Sequence, residues 1–252
     1  MTTMKFLSSL PQRLSGALCW ALACIGIYVF LIVESTLDLR VRGMERLRQL
    51  KKQGKNALLV VWHGKGLLPV VYFQGESLCI YCSQVRQGEI ATASRLLRQF
   101  TLAALRQLGY QVLDAARFGS ESRGVVQLMR VLQQGTSAVI AADGPMGPIY
   151  QAKPGPCYLA HKTGVTLLPV STAMSRGIAL AGWDRFEIPQ PFARGVIWVG
   201  EPMEVPANAD DTVLEQMTKE LEKRLNDLTR CAEADAHLKS GAARKPAPSP
   251  TR

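Results

Sequence analysis

The sequence predicts an α/β protein with a central, mostly parallel sheet flanked by helices, preceded by an N-terminal membrane helix. Three observations predict it. From residue 56 onward, short and nearly continuous apolar runs alternate with longer runs of helical periodicity, the pattern of parallel strands joined by crossover helices and covered on both faces. Polar and glycine-containing motifs follow five successive strand-like runs, which is where such a sheet presents its ligand crevice. Residues 14–33 form a stretch of twenty positions without a charge, and a helix of that length spans about 30 Å, the hydrocarbon thickness of a bilayer.

The chain has 252 residues, 47% hydrophobic and 20% charged, enough for one sizeable domain and incompatible with overall disorder. Its net charge of +10 is front-loaded: residues 1–60 carry nine basic and three acidic side chains, whereas residues 151–252 carry thirteen and twelve. A localised anionic partner is therefore expected. Nucleic acid is not expected, because zinc-finger spacing and aromatic-basic RNA motifs are absent. A phospholipid membrane fits better, since Arg40, Arg42, Arg46, Arg48, Lys51, Lys52 and Lys55 adjoin the apolar run. That run exceeds the apolar region of about 7–15 residues in a signal peptide and no small-x-small cleavage site follows it; a buried core helix is the alternative. Only Lys5 and Arg13 precede the run, so the positive-inside bias predicts an inner-membrane protein whose main domain faces the cytoplasm.

Strands are expected at 56–62, 77–82, 110–114, 137–142 and 165–170, with helices at 89–108, 125–132 and 156–162. Two later runs, 185–192 and 195–206, have prolines at their ends and predict edge strands. A charged amphipathic helix should start at Asp210, Asp211 and Thr212 and end near Arg230, before a disordered Ala/Pro/Ser/Lys-rich tail. The implied domains are a membrane anchor at 1–39, an α/β domain at 40–230 and a tail at 231–252. Six cysteines do not make a disulfide framework in a chain this long, and a reducing compartment suits them. Cys79 and Cys82 have the spacing of a redox or zinc half-site, but on a strand they face opposite sides and cannot address one metal.

Among the three histidines, His63 alone stands at a strand end beside glycines, in Trp62-His63-Gly64-Lys65-Gly66. This is a setting for proton transfer, because substrate can approach the imidazole closely. The loop at 117–124 combines Arg117, Ser120, Ser122, Arg123, Gly119 and Gly124 at an expected helix start. Free amides, the helix dipole and two guanidinium groups predict an anion site, with phosphate the expected anion. The order of a nucleotide P-loop is missing, so ATP is not implied. Asp143, Gly144 and Pro145 follow the fourth strand and are candidates for touching or supporting a substrate.

Taken together, Trp62-His63-Gly64, Gln87-Gly88-Glu89, the 117–124 loop, the 143–148 loop, the LLPVS strand at 167–171 and Trp183-Asp184-Arg185-Phe186 resemble a bacterial branch of the lysophospholipid acyltransferase-like superfamily over residues 40–205. The resemblance implies an acyltransferase-like fold and a membrane-associated enzyme. It would move a fatty acyl group from an acyl thioester, carried by acyl-CoA or acyl-carrier protein, to the hydroxyl of a lysophospholipid or related phosphorylated lipid acceptor. No metal and no bound cofactor is implied. His63 matches the superfamily's catalytic base, Arg117 and Arg123 fall in its second block with Ser120, Ser122 and Gly124, Asp143 and Gly144 in its third, and Pro169 in its fourth. One departure matters: the superfamily has an acid five positions after the histidine, where this chain has Leu68. Another acid must orient the imidazole, and Glu89, ahead of Asp114 and Asp143, is the expected one. The missing acid also admits a catalytically silent lipid-binding protein. A membrane-tethered phosphate-ester hydrolase is a third reading, disfavoured by the lack of clustered His and Asp ligands.

Overall fold

A computed structural model describes residues 12–83 and 92–237, with side chains placed for all of these except 12–20, 22, 23, 30 and 92–97. The chain opens with helix α1 (Gln12–Ser35) and continues through β1 (Asp38–Arg42), α2 (Met44–Lys52), β2 (Ala57–Val61), a 3-10 turn (His63–Lys65), α3 (Leu67–Tyr72), β3 (Cys79–Cys82) and α4 (Thr92–Gln107). There follow β4 (Gln111–Asp114), a second 3-10 turn (Ala115–Phe118), α5 (Glu121–Gln133), β5 (Ala138–Ala141), α6 (Gly155–Thr163), β6 (Thr166–Met174), the short strands β7 (Gly177–Ala179) and β8 (Glu187–Pro189), β9 (Arg194–Val199) and α7 (Asp211–His237). Among the described residues the main sheet has seven strands in the order β1-β9-β6-β2-β5-β3-β4, and β7 and β8 form a separate antiparallel pair.

All five expected strands form, and they run parallel to one another as β6-β2-β5-β3-β4. Their continuous apolar character follows from burial on both faces. On β2, Leu58 and Val60 enter one core with Leu128 of α5, Leu159 of α6 and Leu221 of α7. The alternate residues Ala57, Leu59 and Val61 enter a second core with Leu47 of α2, Leu68 of α3 and Leu105 of α4. The sheet thus separates two helical layers. Cys79 belongs to the first core and Cys82 packs against the second, so the two thiols point to opposite faces, and burial pushes each up to about 11.

Several expectations are corrected. The run at 195–206 was expected at an edge, but β9 lies inside the sheet, antiparallel to β6 and parallel to β1. Its prolines stand outside Arg194–Val199, leaving the strand free to pair on both sides. The edge belongs instead to the charged β1, DLRVR. The basic segment at 40–55 is largely neutralised within the molecule: Arg40 pairs with Asp38, Arg42 with Asp235, Arg46 with Glu201, Lys51 with Glu76 and Lys55 with Glu204. The last helix runs past Arg230 to His237, and Ala232 and Ala236 are buried against Ala173 of β6 and Val196 of β9.

The apolar run at 14–33 falls within α1, which packs along α4. Counted over the described residues, no helix is long and apolar enough to cross a membrane; the expected membrane helix is not found there, and the first part of the run lies outside the placed side chains. The tail at 240–252 also lies outside the described residues.

The burial of the final turns of α7 makes a prediction. Ala232→Asp places an unpaired charge in the core and is expected to lower stability by at least about 2 kcal/mol, or about 4–8 °C in melting temperature. Ala234→Asp, on the exposed side of the same turn, is expected to stay within about 0.5 kcal/mol of wild type. Equal melting temperatures for the two variants in thermal denaturation would mean that the helix end is not packed.

Candidate active site

The direction in which the chain leaves each strand locates the crevice. From β2 it passes to α3 in the second core, and from the neighbouring β5 it passes to α6 in the first. Adjacent strands whose connections depart to opposite faces leave a cleft at their carboxyl ends. His63 caps β2 and Asp143 follows β5, so both stand at this cleft. The backbone N–H of His63 donates to Asp143 Oδ1 at 2.9 Å, which ties the two strand ends together. Asp143 is fully buried; burial pushes its carboxyl up, and the His63 N–H pulls it partly back. Among the described residues two buried polar side-chain atoms lack a partner, Asp143 Oδ2 and Trp62 Nε1, and both flank His63.

The imidazole meets an acid that the sequence reading does not consider. Asp184 Oδ2 lies 2.6 Å from His63 Nδ1, and the His63 hydrogen bond holds the Asp184 carboxyl below the usual carboxylate range. A carboxylate on Nδ1 fixes the tautomer with the proton there and leaves Nε2 as the lone-pair nitrogen. The imidazole is 46% exposed while the Asp184 side chain is 12% exposed, so the base faces the cleft and its acid sits behind. Trp183 and Phe186 frame the ring, with centroids 5.4 and 6.3 Å from it.

Topology explains how a residue 121 positions away reaches His63. β6 pairs with β2 only as far as Pro169 opposite Val60 and then continues to Met174, so the hairpin that follows emerges over the end of β2. Two glycines let it lie down there. A Cβ on Gly64 would stand 2.0 Å from the Asp184 carbonyl oxygen, and one on Gly147 would stand 2.5 Å from Trp183 Cε3. Lys65 fastens the same hairpin from below, its Nζ donating to Glu187 Oε1 at 2.7 Å.

The other expected acids are otherwise engaged or not described. Asp114 pairs with Arg98 and accepts the Ala116 N–H at 3.1 Å, and Asp143 holds the His63 main chain rather than its ring. Glu89 lies outside the described residues. In the 117–124 loop, Ser120 caps α5 by accepting the Arg123 N–H at 3.3 Å. Arg117, Ser122 and Arg123 are exposed, and Gly124 packs against Ala115 and Tyr81. The loop lies at the end of β4, three strands from β2, or about 14 Å at the usual spacing. Gly144 turns the chain after Asp143 in the left-handed conformation, φ 69°. Among the described residues no group of three or more His, Cys, Asp or Glu could hold a metal ion.

No protein-family model matches the chain. It is similar to an uncharacterized protein of Rickettsia prowazekii (strain Madrid E), 28% identical over 181 residues covering 71% of this chain and 75% of that protein. Among solved structures it is similar to the 1-acyl-sn-glycerophosphate acyltransferase PlsC of Thermotoga maritima, with a TM-score of 0.47 and 15% identity over 89% of this chain and 87% of that one.

The close passage over Gly64 is testable by contrast with its neighbour. Gly64→Ala is expected to destabilise the protein by about 1–3 kcal/mol through overpacking. Gly66→Ala, whose Cβ would find its nearest neighbour at 3.3 Å, is expected to cost less than about 1 kcal/mol. Denaturant titration of both variants decides it, and an equal cost would contradict the contact.

Proposed function

We propose that the chain is a membrane-associated acyltransferase that moves a fatty acyl group from acyl-CoA or acyl-carrier protein to the hydroxyl of a lysophospholipid or related phosphorylated lipid. The carrying observation is the 2.6 Å contact of His63 Nδ1 with Asp184. It supplies from a distant part of the chain the orienting acid that Leu68 cannot provide five positions after the histidine. Nε2 takes the proton from the acceptor hydroxyl as its oxygen attacks the thioester carbonyl. Collapse of the tetrahedral intermediate expels the thiolate, which recovers the proton from Nε2. The exposed guanidinium groups of Arg117 and Arg123 at the start of α5, which pair with no acid among the described residues, hold the acceptor phosphate.

Apolar exposure supports the membrane part of this reading. Ile25, Tyr28, Val29 and Ile32 are exposed on α1 at positions that share one helical face. Phe192 is 75% exposed, and its N–H donates to Thr36 Oγ1 at 3.0 Å just beyond that helix. Ile178 and Leu180 project from the hairpin that carries Asp184. Such a surface suits insertion among lipids, with the domain at the cytoplasmic face of the inner membrane. The reading as a silent lipid binder rested on the missing acid, which Asp184 supplies.

In an assay that couples thioester, lysolipid acceptor and purified protein in detergent, His63→Ala is expected to reduce acyl transfer at least about 10²-fold. Asp184→Asn is expected to reduce it too, and the double variant to be little worse than His63→Ala, because the pair acts as a unit. Arg123→Ala is expected to raise the KM for a phosphorylated acceptor about 10-fold while leaving that for the thioester unchanged. Undiminished transfer by folded His63→Ala protein would overturn the mechanism.

A further inference from the structure

We propose that Lys65 is the positioning residue of the site, pinning through Glu187 the hairpin that brings Asp184 onto His63. Lys65 is 3% exposed, which is rare for an ammonium without full compensation. Its ammonium donates to Glu187 Oε1 at 2.7 Å and faces Glu233 Oε1 at 3.5 Å, with Tyr150 near enough to interact with it electrostatically. Its own carbonyl accepts from Thr172 Oγ1 at 3.0 Å. These partners belong to different parts of the wall around the cleft. Glu187 opens β8 directly after the Asp184 loop, Tyr150 follows the 143–148 loop, Glu233 lies on α7 and Thr172 on β6.

A buried ion pair of this kind is a poor device for stability, since desolvation opposes the Coulombic gain. Burial alone would pull the ammonium down, but Glu187, Tyr150 and Glu233 outweigh it and hold Lys65 above the usual lysine range, fully charged. What the pair provides is registration. Lys65 is two residues from His63 and Glu187 three from Asp184, so fixing the outer pair fixes the inner one. Apart from the His63–Asp184 contact itself, Lys65–Glu187 is the one side-chain hydrogen bond or ion pair that ties residues 177–189 to the rest of the site among the described residues.

This inference rests on the His63–Asp184 pair that the proposed activity uses, but its test reads the imidazole itself and stands whether or not acyl transfer is found. The full chain, labelled with 15N-histidine, is examined in detergent micelles at a pH where the imidazoles are neutral. Wild type is expected to show His63 as the Nδ1–H tautomer, with Asp184→Asn as the reference for its loss. Lys65→Met, which keeps the length of the side chain, is expected to lower the Nδ1–H population at least about twofold as the released ring reverts towards Nε2–H. Glu187→Gln keeps the shape of a partly exposed side chain and is expected to do the same, so it carries the test if Lys65→Met does not fold. Lys55→Met, which breaks an exposed pair with Glu204, is expected to leave the tautomer unchanged. Where transfer is measured, the loss in Lys65→Met should fall on kcat, by about 10-fold or more, with KM near wild type. Folded Lys65→Met or Glu187→Gln protein with the wild-type tautomer would overturn the proposal, as would an equal change in Lys55→Met.

Discussion

The cleft depends on how closely the chain around Asp184 can pass over the end of β2. At Gly64 the Asp184 carbonyl occupies the space of a side chain, and at Gly147 the Trp183 ring does so. These two absences of a Cβ let the hairpin lie flat, and only then can a carboxylate stand 2.6 Å from Nδ1 of His63. Everything chemical about the site follows from that contact, because an exposed imidazole without an orienting partner samples both tautomers and many directions. With Asp184 behind it, the ring presents one lone pair to the cleft.

The polar groups that accomplish this are expensive to bury, and they are gathered at one edge of an otherwise apolar sheet. Asp143 is fully enclosed with one oxygen on the His63 main chain, the Lys65 ammonium is enclosed with its carboxylate partners reaching in from the partly exposed Glu187 and Glu233, and the Trp62 indole N–H has no partner among the described residues. Such groups each oppose folding. The strands below offset them, since every residue of β2 is buried between two hydrophobic cores. Local cost at a site supported by consistent packing elsewhere is the usual signature of function.

The parallel strands were legible in the sequence because burial on both faces writes itself as a continuous apolar run, and the crevice was legible because its motifs follow those runs. β1 was not, since an edge strand spelled DLRVR carries the charge that protects edges. The neutralisation of the basic segment was hidden for another reason: Asp235, Glu201, Glu204 and Glu76 come from distant parts of the chain, and composition cannot pair them. His63 was singled out by its glycines, but an acid for it was sought within a few residues or at other strand ends. Asp184 lies 121 positions away, brought back by the overhang of β6. The signal available was an aspartate between Trp183 and Phe186, in a block already matched for its likeness to acyltransferases.

Whether the oriented His63 activates a lipid hydroxyl against an acyl thioester is decided by the release of free thiol from acyl-CoA by the wild-type chain in lipid vesicles, followed with and without a lysophospholipid acceptor. Thiol and acylated acceptor are expected in equal amounts, with little thiol when the acceptor is withheld. Tight binding of the acceptor, with no thiol released from acyl-CoA or from acyl-carrier protein, would contradict that role for His63.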